Sequence, residues 1–347
     1  MVQKYHNMTI SSIVDIVDGT LLYKPFVSRI YHIKTDIDNI IQGDLFIAKN
    51  LEDLNSAIEK GCFAIIYDFK ININDINHHE IALIKVDNVI KSIFKLIRFK
   101  LININIETYL CNDIKFELLN IFIKKNDKNI KLISDDVYNN IELLNNIEKI
   151  KYIFCNNEEI LNNIYPTYKT FDNNIYSIKN IIYNSLFKTT FTYNNKHFHK
   201  IKISRIYIND FLKVYNFFND NFNDNIDLNK LKYFDYLNPI FINKYFKEIS
   251  NENSSKFILY NANIKIALKE IKYLNENYKY AKKHIFIQNK LEINNNNNKF
   301  YFIKNLKEIE TILKDREYNC IYIIGFNKNK IIEFIQKSSD IKSIFDI

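Results

Sequence analysis

No glycine occurs between Gly61 and Gly325, and the 347-residue chain has only four in all. A loop that cradles a triphosphate needs glycines for backbone conformations that other residues resist, plus a lysine and a hydroxyl for phosphate and magnesium. Such a loop is therefore excluded from the whole middle of the chain. Two of the four glycines instead bracket one short stretch near the N-terminus. Gln42-Gly43-Asp44-Leu45-Phe46-Ile47-Ala48 reads as a tight turn into an apolar strand, Leu51 to Lys60 as an amphipathic helix, and Gly61 as the stop before a second apolar strand at Cys62 to Tyr67. This spacing predicts one compact βαβ unit.

Upstream, Asn7 or Thr9 can cap a helix whose Ile10, Ile13, Val14 and Val17 recur at helical spacing, with Gly19 as its stop. Val27 to Ile33 reads as extended. Downstream, a strand at Ile81 to Val86 and a helix from about Asn88 to Phe99 complete a first domain whose core closes on itself. Strands at Leu101 to Ile106, Ile130 to Ser134 and Lys151 to Cys155 alternate with helices at Asp113 to Lys124, Glu142 to Ile147 and Glu158 to Ile164. That alternation argues for a parallel sheet covered by helices.

The pattern then changes. Phe187 to Tyr193 and Lys196 to Ile203 are β-prone runs separated by Asn194-Asn195, a hairpin signal. Helices are expected at Ile208 to Phe222 and Pro239 to Glu248. Strands at Lys256 to Tyr260, His284 to Gln288, Lys299 to Ile303 and Asn319 to Gly325 alternate with helices at Ile264 to Tyr278, Leu306 to Lys314 and Lys330 to Gln336, giving a second α/β region. Asn294 to Asn298 reads as a polar surface loop.

Composition removes several classes of function. The formal charge is +8, but acidic residues are interspersed among the lysines. Lys279, Lys282, Lys283 and His284 suit the negative end of a helix dipole, so a solvated face is favoured over a nucleic-acid patch. Cys62, Cys111, Cys155 and Cys320 lack metal spacing and read as buried reduced thiols. The opening residues are polar, which argues against a signal peptide, and no uncharged apolar run reaches the ~18 residues of a membrane span. A cytoplasmic location follows as an expectation.

Side-chain chemistry is equally sparse. His197 and His199 share one face of a strand and read as a hairpin surface pair rather than metal ligands, and His78-His79-Glu80 reads as a polar loop. Glu158-Glu159 and Asp135-Asp136 sit where carboxylates offset a helix dipole. No nucleophile and base can be paired, so no catalytic residue and no metal site is assigned.

With these elements placed, the chain resembles the Mur ligases, in particular the branch that adds D-alanyl-D-alanine. The resemblance rests on Thr35-Asp36, on Gly43-Asp44-Leu45-Phe46 with Ala48, on Gly61 with Ala64, and on Tyr260-Asn261-Ala262-Asn263 at a strand-to-helix turn. Ile37-Asp38 replace the family's Ser-Arg, and Gln42 its proline. The ATP phosphate loop of the family falls between Ile104 and Leu119. There Thr108 and Cys111 take the places of two glycines, Asn112 that of the lysine and Asp113 that of the hydroxyl residue. The late Lys-Gly-Ser-Arg of the family is Ile324-Gly325-Phe326-Asn327 here.

The resemblance implies an α/β, three-domain Mur-ligase-like architecture. It has a small N-terminal α/β domain (1–99), a reduced parallel-sheet central domain (100–205), and a helical segment with a Rossmann-like C-terminal domain (206–347). It makes Thr35, Asp36, Gly43, Asp44 and Phe46 candidates for binding the UDP part of a substrate, and Tyr260, Asn261 and Asn263 a remnant of the nucleotide side. The family is an ATP- and Mg2+-dependent, ADP-forming amide ligase. With the phosphate loop degenerate, neither cofactor is expected, and the reading is a bacterial pseudoenzyme of peptidoglycan biosynthesis that binds a UDP-muramyl peptide or a cytoplasmic cell-wall enzyme. Two alternatives stay open: an active ligase with an unusual nucleotide site, and a basic nucleic-acid-binding protein.

Overall fold

The computed structural model describes residues 8–23, 29–72, 81–102, 104–124, 127–172, 174–222, 226–249, 254–288 and 300–343. His78-His79-Glu80, the Asn294 to Asn298 loop, Asn7 and the first residues of the Val27 to Ile33 segment lie outside them. The chain forms two compact units, Met1–Asn174 and Ile175–Ile347.

Unit 1 begins with α1 (Ile10–Val17), β1 (Thr20–Leu21), β2 (Ile33–Lys34), β3 (Leu45–Ile47), α2 (Leu51–Glu59), β4 (Ala64–Tyr67), β5 (Ala82–Lys85) and α3 (Val89–Ile102). The strand order is β1-β5-β4-β3-β2, with only β1 antiparallel to its neighbour. Strands β3 and β4 are buried at every position, as expected of parallel strands covered on both faces. The βαβ unit is as expected. Asn50 caps α2 by accepting from Asp53 N–H at 2.8 Å, and Gly61 follows its end with φ +77°. At the other end of the chain's first helix, Asp18 rather than Gly19 takes the left-handed conformation, with φ 51°. Gly19 is needed for space: a Cβ there would lie 2.7 Å from Ile84.

A second sheet completes unit 1: β6 (Glu107–Leu110), α4 (Asp113–Phe122), β7 (Ile130–Leu132), α5 (Glu142–Asn146), β8 (Tyr152–Cys155), α6 (Glu158–Ile164) and β9 (Lys169–Thr170). Its order is β7-β8-β6-β9, all parallel. The expected strand at Leu101 to Ile106 is corrected: Leu101 and Ile102 finish α3, and the strand starts at Glu107. Leu101 falls four residues after Ile97 on the buried face, so helical packing takes it. The idea of a self-contained first core is corrected as well. One apolar cluster runs from Ile13, Ile47 and Ile93 to Ile133, Leu143 and Ile153, so the two sheets share it.

Unit 2 opens with β10 (Lys179–Tyr183), β11 (Thr189–Tyr193) and β12 (Lys196–Ile201), an antiparallel sheet in that order. Asn194 and Asn195 both have positive φ, 46° and 60°, as a tight hairpin turn requires. Phe191 pairs across the strands with Phe198, ring centroids 4.9 Å apart, and both rings pack on Phe211 of α7 (Ile208–Phe222).

The last sheet contains β13 (Ile240–Phe241), β14 (Phe257–Asn261), β15 (Lys283–Gln288), β16 (Phe300–Ile303) and β17 (Cys320–Ile324), in the order β13-β14-β17-β15-β16. Only β13 runs antiparallel. Its helices are α8 (Ile264–Asn277), α9 (Glu308–Leu313) and α10 (Lys328–Ser343). The helix expected over Pro239 to Glu248 is corrected to an edge strand and a turn. There the Asn243 side chain accepts from the N–H groups of Tyr245 (2.9 Å) and Lys247 (3.0 Å), a local alternative to helix.

All four cysteines are buried free thiols, and burial pushes Cys62 and Cys320 up to about 12. The basic cluster after α8 is engaged within the unit. Lys282 pairs with Glu317, and Lys283 donates to the Tyr278 carbonyl at the helix end at 2.6 Å. Among the described residues no helix is long and apolar enough to cross a membrane.

Candidate functional site

Strand β2 is the edge of the first sheet, and an edge leaves backbone groups in search of partners. The Asn145 side chain of α5 supplies them. Its amide donates to the Ile33 carbonyl at 2.9 Å and its oxygen accepts from the Ile33 N–H at 3.1 Å, so one amide imitates the next strand. Two residues on, Thr35 Oγ1 donates to the Tyr138 carbonyl at 3.3 Å.

These contacts hold open a cleft of about 540 Å³ within unit 1. One wall is Lys34, Thr35, Asp36 and Asn39; the other includes Lys131, Ser134, Tyr138 and Asn139. Asp36 accepts from Asp38 N–H (3.0 Å) and from the Asn39 amide (2.7 Å), which fixes the turn after β2. Buried Asn140 accepts from Ser134 N–H and donates to the Ser134 carbonyl, both at 2.9 Å, and so holds the opposite wall. Burial, with Asp68, Asp136 and Asp53 nearby, pushes the Tyr138 phenol up, so it stays a hydrogen-bond donor at neutral pH. Hydroxyls, amides, two lysines and one carboxylate make a surface suited to a polar, oxygen-rich ligand. Replacing Asn145 by alanine is expected to cost about 2 kcal/mol, because two half-buried backbone groups lose their partners. Urea unfolding of the variant checks this.

The other candidates from the first domain are placed differently. Asp44 is fully buried and accepts from the backbone of His32 and of Ile41, both at 3.2 Å, with His32 Nδ1 3.1 Å away. Phe46 is fully buried in the core. Gly43 has φ +97° under the Tyr31 ring. Thr35 and Asp36 face the cleft, whereas Gly43, Asp44 and Phe46 build the strand and turn behind it. Asn145, Tyr138, Asn140 and Lys131 were not foreseen, since nothing but proximity in the fold distinguishes them from other residues of an Asn- and Lys-rich chain.

At the carboxyl end of β6 the connection to α4 is only Cys111 and Asn112. No residue from Glu107 to Lys115 has positive φ. Asn112 caps α4, accepting from Lys115 N–H at 2.8 Å, and Asp113 accepts from the Asn156 amide at 2.7 Å. The buried Lys115 ammonium donates to the Phe171 carbonyl at 2.7 Å and the Asp172 carbonyl at 3.2 Å. Thr108 lies within β6 itself.

In unit 2, Asn261 ends β14 and accepts from Asn263 N–H at 2.9 Å, while Asn263 caps α8 by accepting from Lys265 N–H at 3.0 Å. Tyr260 donates its hydroxyl to Asp235 at 3.3 Å. His197 and His199 stand on the exposed side of β12 with ring centroids 6.1 Å apart. Among the described residues no group of three or more His, Cys, Asp or Glu side chains is arranged to hold a metal.

Sequence comparison finds no matching family model and no matching curated protein. Comparison of structures does find relatives. A MurF ligase from Thermotoga maritima in complex with ADP matches 90% of this chain and 98% of its own, with 12% identity and a TM-score of 0.54. MurF from Acinetobacter baumannii matches 96% and 98%, with 10% identity and a TM-score of 0.54. A UDP-N-acetylmuramoylalanyl-D-glutamyl-2,6-diaminopimelate--D-alanyl-D-alanyl ligase from the same organism matches 97% and 99%, with 10% identity and a TM-score of 0.52. The chain therefore has the multi-domain α/β fold of the Mur ligases. Within that class it resembles MurF, as Thr35-Asp36, Gly43 to Ala48 and Tyr260 to Asn263 suggested.

Proposed function

We propose that this chain is a non-catalytic, Mur-ligase-like protein of peptidoglycan precursor metabolism that binds a cell-wall precursor, or an enzyme handling one, in a bacterial cytoplasm. The observation that carries the reading is the β6 to α4 turn. A triphosphate needs a ring of outward-facing N–H groups and a lysine free to reach it. Here the turn has two residues and no positive φ, Lys115 is spent on two carbonyls, and Asp113 adds negative charge where phosphates would sit. ATP and magnesium do not fit this turn.

The cleft beside Thr35 and Asp36 supports the binding half of the reading. Its hydroxyls and amides match the hydrogen-bonding groups of a UDP-sugar peptide, and Lys34 and Lys131 match its diphosphate charge. We retain 1–99, 100–205 and 206–347 as the three modules of this reading. Tyr260, Asn261 and Asn263 serve it as the turn that shapes the last module.

Calorimetry with a UDP-muramyl tripeptide is expected to show binding, weakened about tenfold when Thr35 and Asp36 are both replaced by alanine. A pull-down against cytoplasmic Mur enzymes covers the partner alternative. Silence in both experiments sinks the proposal. A second reading, a working ligase with a different nucleotide site, draws on the near-complete match to an ADP-bound MurF. Incubation with the tripeptide precursor, D-Ala-D-Ala, ATP and magnesium decides between them: no ADP above a blank is expected, and ADP release would establish the second.

A further inference from the structure

Gly325 is the one glycine after Gly61, and the next residue, Phe326, lines a cleft of about 480 Å³ within unit 2. Gly325 has φ +88°, and a Cβ there would lie 3.2 Å from Gln288, which lines the cleft. The Gly325 N–H donates to the Asn261 carbonyl at 3.1 Å, prolonging the β14 to β17 pairing by one step. The chain then turns so that Phe326 is buried beside Phe334 and Leu306, and these three side chains give the cleft an apolar floor.

Cations stand on both walls. Lys304 and Lys307 come from the segment after β16, Lys330 and Lys337 from α10, with Glu310 and Glu333 between them. Lys330, Glu333 and Lys337 lie three and seven residues along one helical face. Glu333 pairs with Lys337 at 3.8 Å. Among the described residues Lys304, Lys307 and Lys330 make no ion pair. Net positive charge over an apolar floor, at the carboxyl ends of parallel strands, is the chemistry of a phosphate ester with a hydrophobic body. Lysines act on phosphate as point charges and need no fixed fork.

We propose that this cleft binds a soluble organic phosphate, its phosphate held by Lys304, Lys307 and Lys330 and its apolar part resting on Phe326 and Phe334. The site is independent of the Thr35 cleft in unit 1, and the proposal does not rest on a cell-wall role. Fluorescence titration of the full chain with 1-naphthyl phosphate at low salt is expected to saturate at one site. The Lys304→Ala/Lys330→Ala double variant should weaken binding about tenfold, and added salt should weaken it in the unaltered chain. Lys282→Ala, at the opposite end of β15, should leave it unchanged.

No binding, or equal binding by the double variant, overturns the site. Inorganic phosphate binding as tightly as the naphthyl ester overturns the role of the floor. Sedimentation with phosphatidic acid vesicles that the double variant abolishes would assign the lysines to a lipid headgroup and overturn a soluble ligand.

Discussion

Urea unfolding of the chain is expected to show a component of stability that falls as pH rises from about 4.5 to about 7, and Glu270→Gln is expected to remove it. Glu270 on α8 is fully buried, and burial pushes its carboxyl from 4.5 up to about 7. Hydrogen bonds from Tyr207, Tyr322, Asn261 and the Leu237 N–H pull the other way without cancelling it. Between the two values the folded chain keeps a proton that the unfolded chain has released. Stability from this group is therefore complete below about pH 4.5 and lost as pH approaches 7, by about 3 kcal/mol in all. The difference between the two proteins isolates it from other carboxylates. Equal pH slopes would refute the assignment. The carboxyl ties four separate segments of unit 2 together, which is why its ionisation reaches the whole unit.

Phe154→Ala is expected to cost about 3 to 5 kcal/mol, the range for emptying a fully enclosed aromatic site. Phe154 is fully buried in β8, with Tyr109 at 5.3 Å and Phe171 at 5.0 Å between ring centroids. Phe171 also accepts Lys115 through its carbonyl, so loss of the ring loosens the support of the β6 to α4 turn. Calorimetric unfolding should show the loss in unit 1. A cost below about 1 kcal/mol would mean the site collapses without a cavity.

The elements legible in the sequence are those whose physics is local. Cys62 to Tyr67 and Asn319 to Gly325 are short apolar runs between turn residues, and both are buried parallel strands. The Asn194-Asn195 pair marks its turn because asparagine tolerates positive φ. Leu101 to Ile106 misled because alternating Ile and Asn imitates a strand, whereas α3 runs to Ile102 and β6 begins only at Glu107. Strand β10 gave no signal, since all five of its residues are exposed and no alternation results. Of the unit 1 cleft, one wall was legible, because Thr35 and Asp36 belong to a motif. The other wall comes from residues about a hundred positions away, and its decisive feature is an asparagine amide aligned with a strand edge. Only folding brings the two together.

The scarcity of glycine has a counterpart in where the backbone turns left-handed. Asp18, Asp172, Asn180, Asn194 and Asn195 are five of the eight non-glycine residues with positive φ among the described residues. Glycine at such places would relax the folded turn slightly, but it would widen the range of shapes open to the denatured chain. By using Asn and Asp, this protein begins folding from a narrower ensemble, and part of its stability resides in the restricted denatured chain rather than in any contact of the native one.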